Sequence, residues 1–354
     1  MSVSDKSVIK RHIRAMSAYK PPLEGRDPTK YTLLDFNERT LPVGEKIQEA
    51  LIAYIRSGRM QMYPSYGDTV ERIARYAGVP AEQLMITNGS DQGIELIFRS
   101  VCREGDEAII AGSTFAMYKQ CAGVENLKII EPEYTIDIGF PVDAVIAAVT
   151  DKTRIITIAN PNNPCGSLVK KEEVLRIAKA APQAAILVDE CYFEYSRETV
   201  VNVVEDYPNI FVTRTFSKTW GIPSLRMGYL ISAKENITAL LNVRGPYDVN
   251  QYAVVAVQAA LEHPEYTLDY VREVMDVSKP LLENFLAEKN IVFWQSDANF
   301  IWCFPDNAEQ IEAALREAGI LVRPKADLKG KLGLRITLGN KTQTQKLIDV
   351  WQGL

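Results

Sequence analysis

RIITIANPNNPCGSLVKKEEVLRIAKAAPQAAILVDE occupies residues 154–190 and reads as strand, loop, helix and strand. The runs 154–159 and 185–189 are apolar almost without a break, as strands buried on both faces are. Between them Val174, Ile177 and Ala178 share one face of an amphipathic helix over 171–180, with charges on the other. Two strands joined by a helix are the unit of a parallel sheet. The same grammar continues outward, with strands at 84–87, 108–111, 210–215 and 228–232 and a helix over 91–103 closed by Gly105. The chain is therefore α/β, with a large domain built on a mostly parallel central sheet.

After residue 245 the pattern changes to long helices over 251–261 and 266–289, a strand at 299–303, a helix at 308–318 and a strand at 334–338. That is a smaller α+β unit. The first residues hold too few elements for a domain, and the stretch PPLEGR at 21–26 reads as extended chain. The expected organisation is an N-terminal arm over 1–45 packing with the small domain, a large domain over 46–245 and a small C-terminal domain over 246–354.

Composition narrows the function. The 354 residues are 47% hydrophobic and carry a net charge of -5, so the chain can bury a large core and has no general attraction for phosphate backbones or anionic membranes. Nucleic acid is not an expected partner. No apolar run approaches the roughly 20 residues of a membrane span, and the basic N-terminus lacks the apolar segment of a secretory signal, so a cytoplasmic location is expected. The 5 cysteines, Cys102, Cys121, Cys165, Cys191 and Cys303, include no C-x-x-C pair, and the 2 histidines, His12 and His263, have no metal-ligand spacing. A metal centre and a Ser-His-Asp hydrolase are both disfavoured, and no Gly-x-Gly-x-x-Gly follows a strand.

In an open parallel sheet, ligands bind beyond the carboxyl ends of the strands. Here those ends carry Asn88-Gly89-Ser90-Asp91, then Asn160 through Gly166, then Asp189-Glu190-Cys191-Tyr192, then Phe216-Ser217-Lys218 with Arg226 downstream. Taken singly each has a plainer reading, as a helix cap, a turn, a structural carboxylate or a surface lysine. Together they form a compatible set for an anionic, electron-poor aromatic aldehyde. A phosphate fits the N-terminus of the helix at Asp91, joined by the hydroxyls of Ser90, Thr215 and Ser217 and by Arg226. A lysine amine can form a Schiff base when its pKa is lowered, which Arg226 would favour. A buried aspartate can keep a pyridine nitrogen protonated, and Asn163 and Tyr192 can donate to a ring oxygen. These are the parts of a pyridoxal 5'-phosphate site.

With those motifs in place, and with Tyr63-Pro64, Thr114 through Tyr118, Leu225-Arg226 and Leu334-Arg335-Ile336-Thr337 in the same order along the chain, the sequence resembles the fold-type I pyridoxal-phosphate enzymes. Within them it resembles the histidinol-phosphate aminotransferase group of the class I/II aminotransferases. The resemblance implies that Lys218 is the Schiff-base lysine and proton carrier, Asp189 the partner of the ring nitrogen, and Tyr192 and Asn163 the partners of the ring hydroxyl. It implies that Phe115 stacks on the ring and that Ser90, Asp91, Thr215, Ser217 and Arg226 cup the phosphate. Tyr63 matches a tyrosine that reaches the phosphate of the neighbouring subunit, which implies a homodimer with shared active sites. Arg335 and Arg323 match the arginines for the substrate's anionic group, and Tyr19 and Asn37 align with substrate-side residues of the arm.

Two positions depart from the family pattern: Cys165 stands where threonine is usual, and Gln92 where an acidic residue is common. The implied reaction is transamination in two half-reactions, from histidinol phosphate to a 2-oxo acid such as 2-oxoglutarate, in amino-acid biosynthesis. An aromatic or other amino acid as donor, and a pyridoxal-phosphate decarboxylase of a phosphorylated amino acid, share the same motifs and stay open at this stage.

Overall fold

The computed structural model describes residues 7–18 and 20–354. Its larger sheet has seven strands in the spatial order Leu84–Asn88, Met227–Ile231, Ile210–Thr215, Ala185–Asp189, Thr153–Ala159, Glu107–Ile110 and Lys128–Ile130. Met227–Ile231 runs antiparallel to both of its neighbours, and the remaining pairs are parallel. The strands read as unbroken apolar runs because both faces are covered. Ile186 and Val188 enter one apolar layer, with helices Thr69–Ala77, Lys171–Ala180 and Gln251–Glu262. Ala185 and Leu187 enter the other, with helices Gly89–Val101, Ala116–Val124 and Lys234–Leu241.

Lys128–Ile130 had no clear signal in the sequence. It is a three-residue edge strand, mostly exposed and opened by a lysine, and so it lacks the apolar run that marks the inner strands. The helix Gln251–Glu262, grouped by its sequence pattern with the C-terminal unit, packs on Glu45–Arg56 and buries Ala253, Val254, Ala256, Val257 and Ala260 in the core of the large sheet. The single helix expected over 266–289 is instead Glu265–Arg272, a widened turn at Glu273–Ser278 and Lys279–Glu288. Pro280 has no N–H, and its ring would crowd the carbonyl four residues back in a regular helix; the wider turn absorbs both demands.

A second, antiparallel sheet has the order Arg323–Ala326, Leu332–Thr337, Phe300–Phe304 and Val292–Phe293. Helices Ala308–Glu317 and Lys341–Gln352 cover it in an apolar cluster that also takes in Leu34. The N-terminal segment is tied to this unit: Thr32–Leu33 pairs in parallel with Ile320–Leu321, and the Thr337 N–H donates to the Leu34 carbonyl at 2.9 Å. Residues 35–39 are thereby led to the crevice at the carboxyl ends of the large sheet.

Candidate active site

Three adjacent strands of the large sheet end in Ala159, Asp189 and Thr215, and with the loops that follow they enclose a cavity of about 140 Å³. Ser90, Asp91, Phe115, Asn163, Asp189, Tyr192, Thr215, Ser217, Lys218 and Arg226 all line it. A wider cleft of about 430 Å³, bordered by Tyr134, Trp294 and Trp302, contains none of the expected groups. Chemistry, not size, makes the smaller cavity the candidate site.

Asp189 is 2% exposed. Its Oδ2 accepts from the Tyr118 hydroxyl at 2.8 Å and its Oδ1 from the Thr213 hydroxyl at 3.0 Å. Burial pushes its carboxyl up to about 6, against the lowering effect of those two donors. Tyr118 was not singled out from the sequence, where a tyrosine on an apolar helix face reads as core. The available signal was its spacing, since it lies three residues after Phe115 and so on the same helix face; the two rings meet edge to face at 5.7 Å.

Lys218 opens onto the cavity and donates to the Phe36 carbonyl at 3.0 Å. Burial, with the Arg335 guanidinium adding to it, lowers its pKa. The chain after Lys218 is fixed by the buried Glu194, whose carboxylate accepts from Thr219 Oγ1 at 3.2 Å, Trp220 Nε1 at 3.0 Å and Tyr76 OH at 2.9 Å. A second buried carboxylate, Glu190, takes Arg214 Nε and Nη2 at 2.9 and 2.7 Å and locks the ends of the two central strands together. Neither group was recognised from sequence as supporting the site.

At the opposite end of the cavity the Thr215 hydroxyl donates to Ser217 Oγ at 2.9 Å, and Arg226 Nη2 donates to Asp91 Oδ2 at 2.9 Å. Gly89 has a φ of 72°, and a Cβ there would run into the Arg226 guanidinium. Glycine is thus required both by the backbone and by the space. Tyr192 OH accepts from Asn37 Nδ2 at 2.9 Å, leaving its own proton to donate into the cavity. Asn163 Oδ1 accepts from Arg335 Nη1 at 2.6 Å, which leaves the Asn163 amide hydrogens to donate. Arg335 also donates to the Asp35 carbonyl at 2.6 Å. Arg323 lies on the edge strand of the small sheet, paired in register with Arg335 and over the Phe36 ring at 5.5 Å.

Tyr63 does not line the cavity. It is 77% exposed and stacks on Tyr247 with ring centroids 4.4 Å apart. Tyr19 lies outside the described residues. The two departures from the family pattern have local explanations. Cys165 Sγ sits 3.1 Å from both Asn162 Nδ2 and Ser167 Oγ, in the place of a hydroxyl. Gln92 accepts from the Asn88 N–H at 2.7 Å and donates to Asp248 at 2.8 Å, so it caps its own helix.

A likeness to solved structures places the fold. The histidinol-phosphate aminotransferase of Sinorhizobium meliloti, in complex with pyridoxal-5'-phosphate, superposes with a TM-score of 0.86 over 98% of each chain at 21% identity. The L-threonine-O-3-phosphate decarboxylase of Porphyromonas gingivalis superposes with a TM-score of 0.76, over 91% of this chain and 98% of that one, at 21% identity. The fold is that of the fold-type I pyridoxal-phosphate-dependent transferases. Within that class the chain belongs to the family described as aminotransferase class I and II, whose family model matches residues 29–350. Curated relatives agree: the chain is 30% identical to the histidinol-phosphate aminotransferase of Cytophaga hutchinsonii over 99% of both chains, and 32% identical to that of Desulfitobacterium hafniense over 95% of this chain and 94% of the relative. The resemblance read from the ordered motifs is borne out at the level of family and fold. Among the described residues no helix is long and apolar enough to cross a membrane.

Proposed function

We propose that the chain transfers the amino group of histidinol phosphate to 2-oxoglutarate, as a cytoplasmic homodimer with pyridoxal 5'-phosphate held in the 140 Å³ cavity. The observation that carries this reading is the order of groups around that cavity. A buried carboxylate closes one end, hydroxyls and an arginine close the other, and a lysine of lowered pKa opens onto the space they enclose. That donor set fits the cofactor: Asp189 would meet the ring nitrogen, Tyr192 and Asn163 the ring hydroxyl, Phe115 the ring face, and Ser90, Asp91, Thr215, Ser217 and Arg226 the phosphate. When bound, the cofactor supplies a carbonyl that links to amines and a ring that withdraws electrons from the donor carbon.

Each residue then has a task. Asp189, whose carboxylate accepts from Tyr118 and Thr213, would keep the ring nitrogen protonated. Lys218, whose buried amine has a lowered pKa, would be the group that takes the proton from the donor's Cα and hands it back on the cofactor side. Arg335 and Arg323 hold the donor's anionic group, and Asn37 orients Tyr192. The similarity to relatives named histidinol-phosphate aminotransferase supports the choice of donor. Exposed Ile52, Ile55, Met60, Met62, Tyr63 and Tyr247 lie on helix Glu45–Arg56 and on the 60–63 and 247 segments, where Tyr63 and Tyr247 stack. That apolar surface supports a subunit interface, from which Tyr63 would reach the partner's site. The reading is tested by glutamate formation from 2-oxoglutarate with histidinol phosphate, phenylalanine or tyrosine as donor. A higher kcat/KM with an aromatic amino acid would replace histidinol phosphate as the donor.

Two predictions arise here. Arg335→Ala should raise KM for the donor by about 100-fold, the equivalent of one or two charge-assisted hydrogen bonds, with the cofactor's absorbance spectrum intact. Cofactor loss instead would show that the arginine had been assigned to the wrong ligand. Tyr118→Phe removes a donor from the Asp189 carboxylate, so the carboxyl pKa should rise further above 6. Cofactor retention should then weaken about tenfold near pH 6.5 and recover at pH 8.5, where the carboxylate is ionised in either protein. A pH-independent effect in a spectroscopic cofactor titration would assign Tyr118 to packing alone.

A further inference from the structure

Three cations share one face of the small sheet. Arg323 and Arg335 are register partners on adjacent antiparallel strands, and Lys325, two residues along, lies on the same face opposite Gly333. Trp302 is the register partner of Arg335 on its other side, and its indole N–H donates to the Lys325 carbonyl at 3.3 Å. A Cβ at residue 333 would run into the Cys303 carbonyl, Trp302 and Phe304, so the glycine is what lets the indole lie across it, within reach of the Lys325 carbonyl. Through its bond to Asn163 at 2.6 Å, Arg335 joins this face to the cavity that Lys218 lines.

Among the described residues no carboxylate forms an ion pair with Arg323 or Lys325. The acids of the neighbouring arm segment, Asp35 and Glu38, are both taken by Arg26, at 2.8 and 2.6 Å. Burial, and after it the like charges of Arg335 and Arg323, push the Lys325 ammonium down to about 8. Arg323 and Lys325, part-buried and without a carboxylate partner among the described residues, are held at a cost that a bound anion relieves.

We propose that Lys325 completes, with Arg323 and Arg335, the receptor for the donor's phosphate, and that it sets the preference for a doubly charged group over a carboxylate. This rests on histidinol phosphate as the donor. A guanidinium fork matches a carboxylate and a phosphate equally well, so two arginines read charge and a pair of oxygens alone. A third cation is used in full only by a group with a third oxygen and a second negative charge. Lys325 is therefore the specificity-determining member of the set.

The test compares the holoenzyme with its Lys325→Met, Lys325→Gln and Lys325→Arg variants, each checked for thermal unfolding in the wild-type range. It uses histidinol phosphate and phenylalanine as donors and inorganic phosphate as a competitive inhibitor. With either neutral variant, KM for histidinol phosphate and Ki for phosphate should rise together by about 10- to 100-fold, the loss expected for one charge-assisted contact. The same variants should keep kcat within about twofold and leave KM for phenylalanine unchanged, and Lys325→Arg should restore phosphate binding. Unchanged KM and Ki in the neutral variants would overturn the proposal while leaving the donor assignment intact. If only phenylalanine is turned over but phosphate inhibits in a Lys325-dependent way, the donor assignment falls and the anion receptor stands. If phosphate does not inhibit the wild type, the receptor falls whatever the donor.

Discussion

Lys218→Ala is expected to abolish turnover, with kcat down by about 10⁴-fold or more. Lys218 is the one amine among the residues lining the cavity, and burial lowers its pKa, which makes it the basic group there best suited to take up and release a proton at the donor carbon. Removal also deprives the protein of its covalent link to the cofactor, so the absorbance of the loaded protein should shift away from that of the lysine-bound form. Little structural damage should follow. Lys218 donates to the Phe36 carbonyl alone among the hydrogen bonds of the site, while the segment beyond it is held by Glu194 through Thr219 and Trp220. Thermal unfolding in the wild-type range together with lost activity is the expected pair of results. Partial rescue by a small primary amine would identify the missing function as proton transfer. Near-normal kcat would mean that the site has been misplaced.

Asp189→Asn should separate catalysis from stability. The side chain keeps its shape and loses its charge, so the ring nitrogen is no longer held protonated and kcat should fall by about 10²- to 10³-fold, a larger loss than that in cofactor affinity. In the unloaded protein the sign is opposite. The folded-state carboxyl is raised from 3.8 to about 6 by burial, so the ionised form is disfavoured by folding. This group therefore costs stability once the pH exceeds both values, and the cost disappears as the pH falls through 6 towards 4. The shift corresponds to about 3 kcal/mol as an upper figure, a net value in which the hydrogen bonds from Tyr118 and Thr213 already offset part of the cost of burial. Unloaded Asp189→Asn should accordingly unfold at a higher temperature than the wild type at pH 8, and the difference should shrink by pH 4. A variant less stable at pH 8 would show that those two hydrogen bonds outweigh the buried charge.

Much of this was legible in the sequence, for a physical reason. Parallel strands buried on both faces must be apolar throughout, so the polar residues that end them stand out, and topology brings those ends together. Asp189, Lys218, Arg226 and Asn163 were readable in that way and do line one cavity. The residues that support them were not. Tyr118 is fully buried on an apolar helix, and its spacing from Phe115 was the one local sign of the hydroxyl that meets Asp189. Glu194 and Arg214 look like solvated charges until the fold closes around them.

The C-terminal region was harder to read because its elements are short or irregular. Lys325 sits on a four-residue edge strand that alternates between half-buried and exposed positions, and its meaning depends on cross-strand partners that no local pattern reveals. The helix Gln251–Glu262 has so little polar contrast that periodicity alone does not say which domain it covers. Tyr63 does not line this chain's own cavity; it is exposed and stacks on Tyr247.

The central claim is most directly tested by the absorbance of the pyridoxal phosphate-loaded protein during titration with histidinol phosphate in the absence of any 2-oxo acid. Histidinol phosphate has no carboxylate to lose, so the outcome also separates transamination from decarboxylation. The account predicts stoichiometric conversion of the visible band of the lysine-bound cofactor to the near-ultraviolet band of its amine form, reversed on adding 2-oxoglutarate. A visible band that persists through the titration would contradict the proposed donor, and a loaded protein with no such band would contradict the site itself.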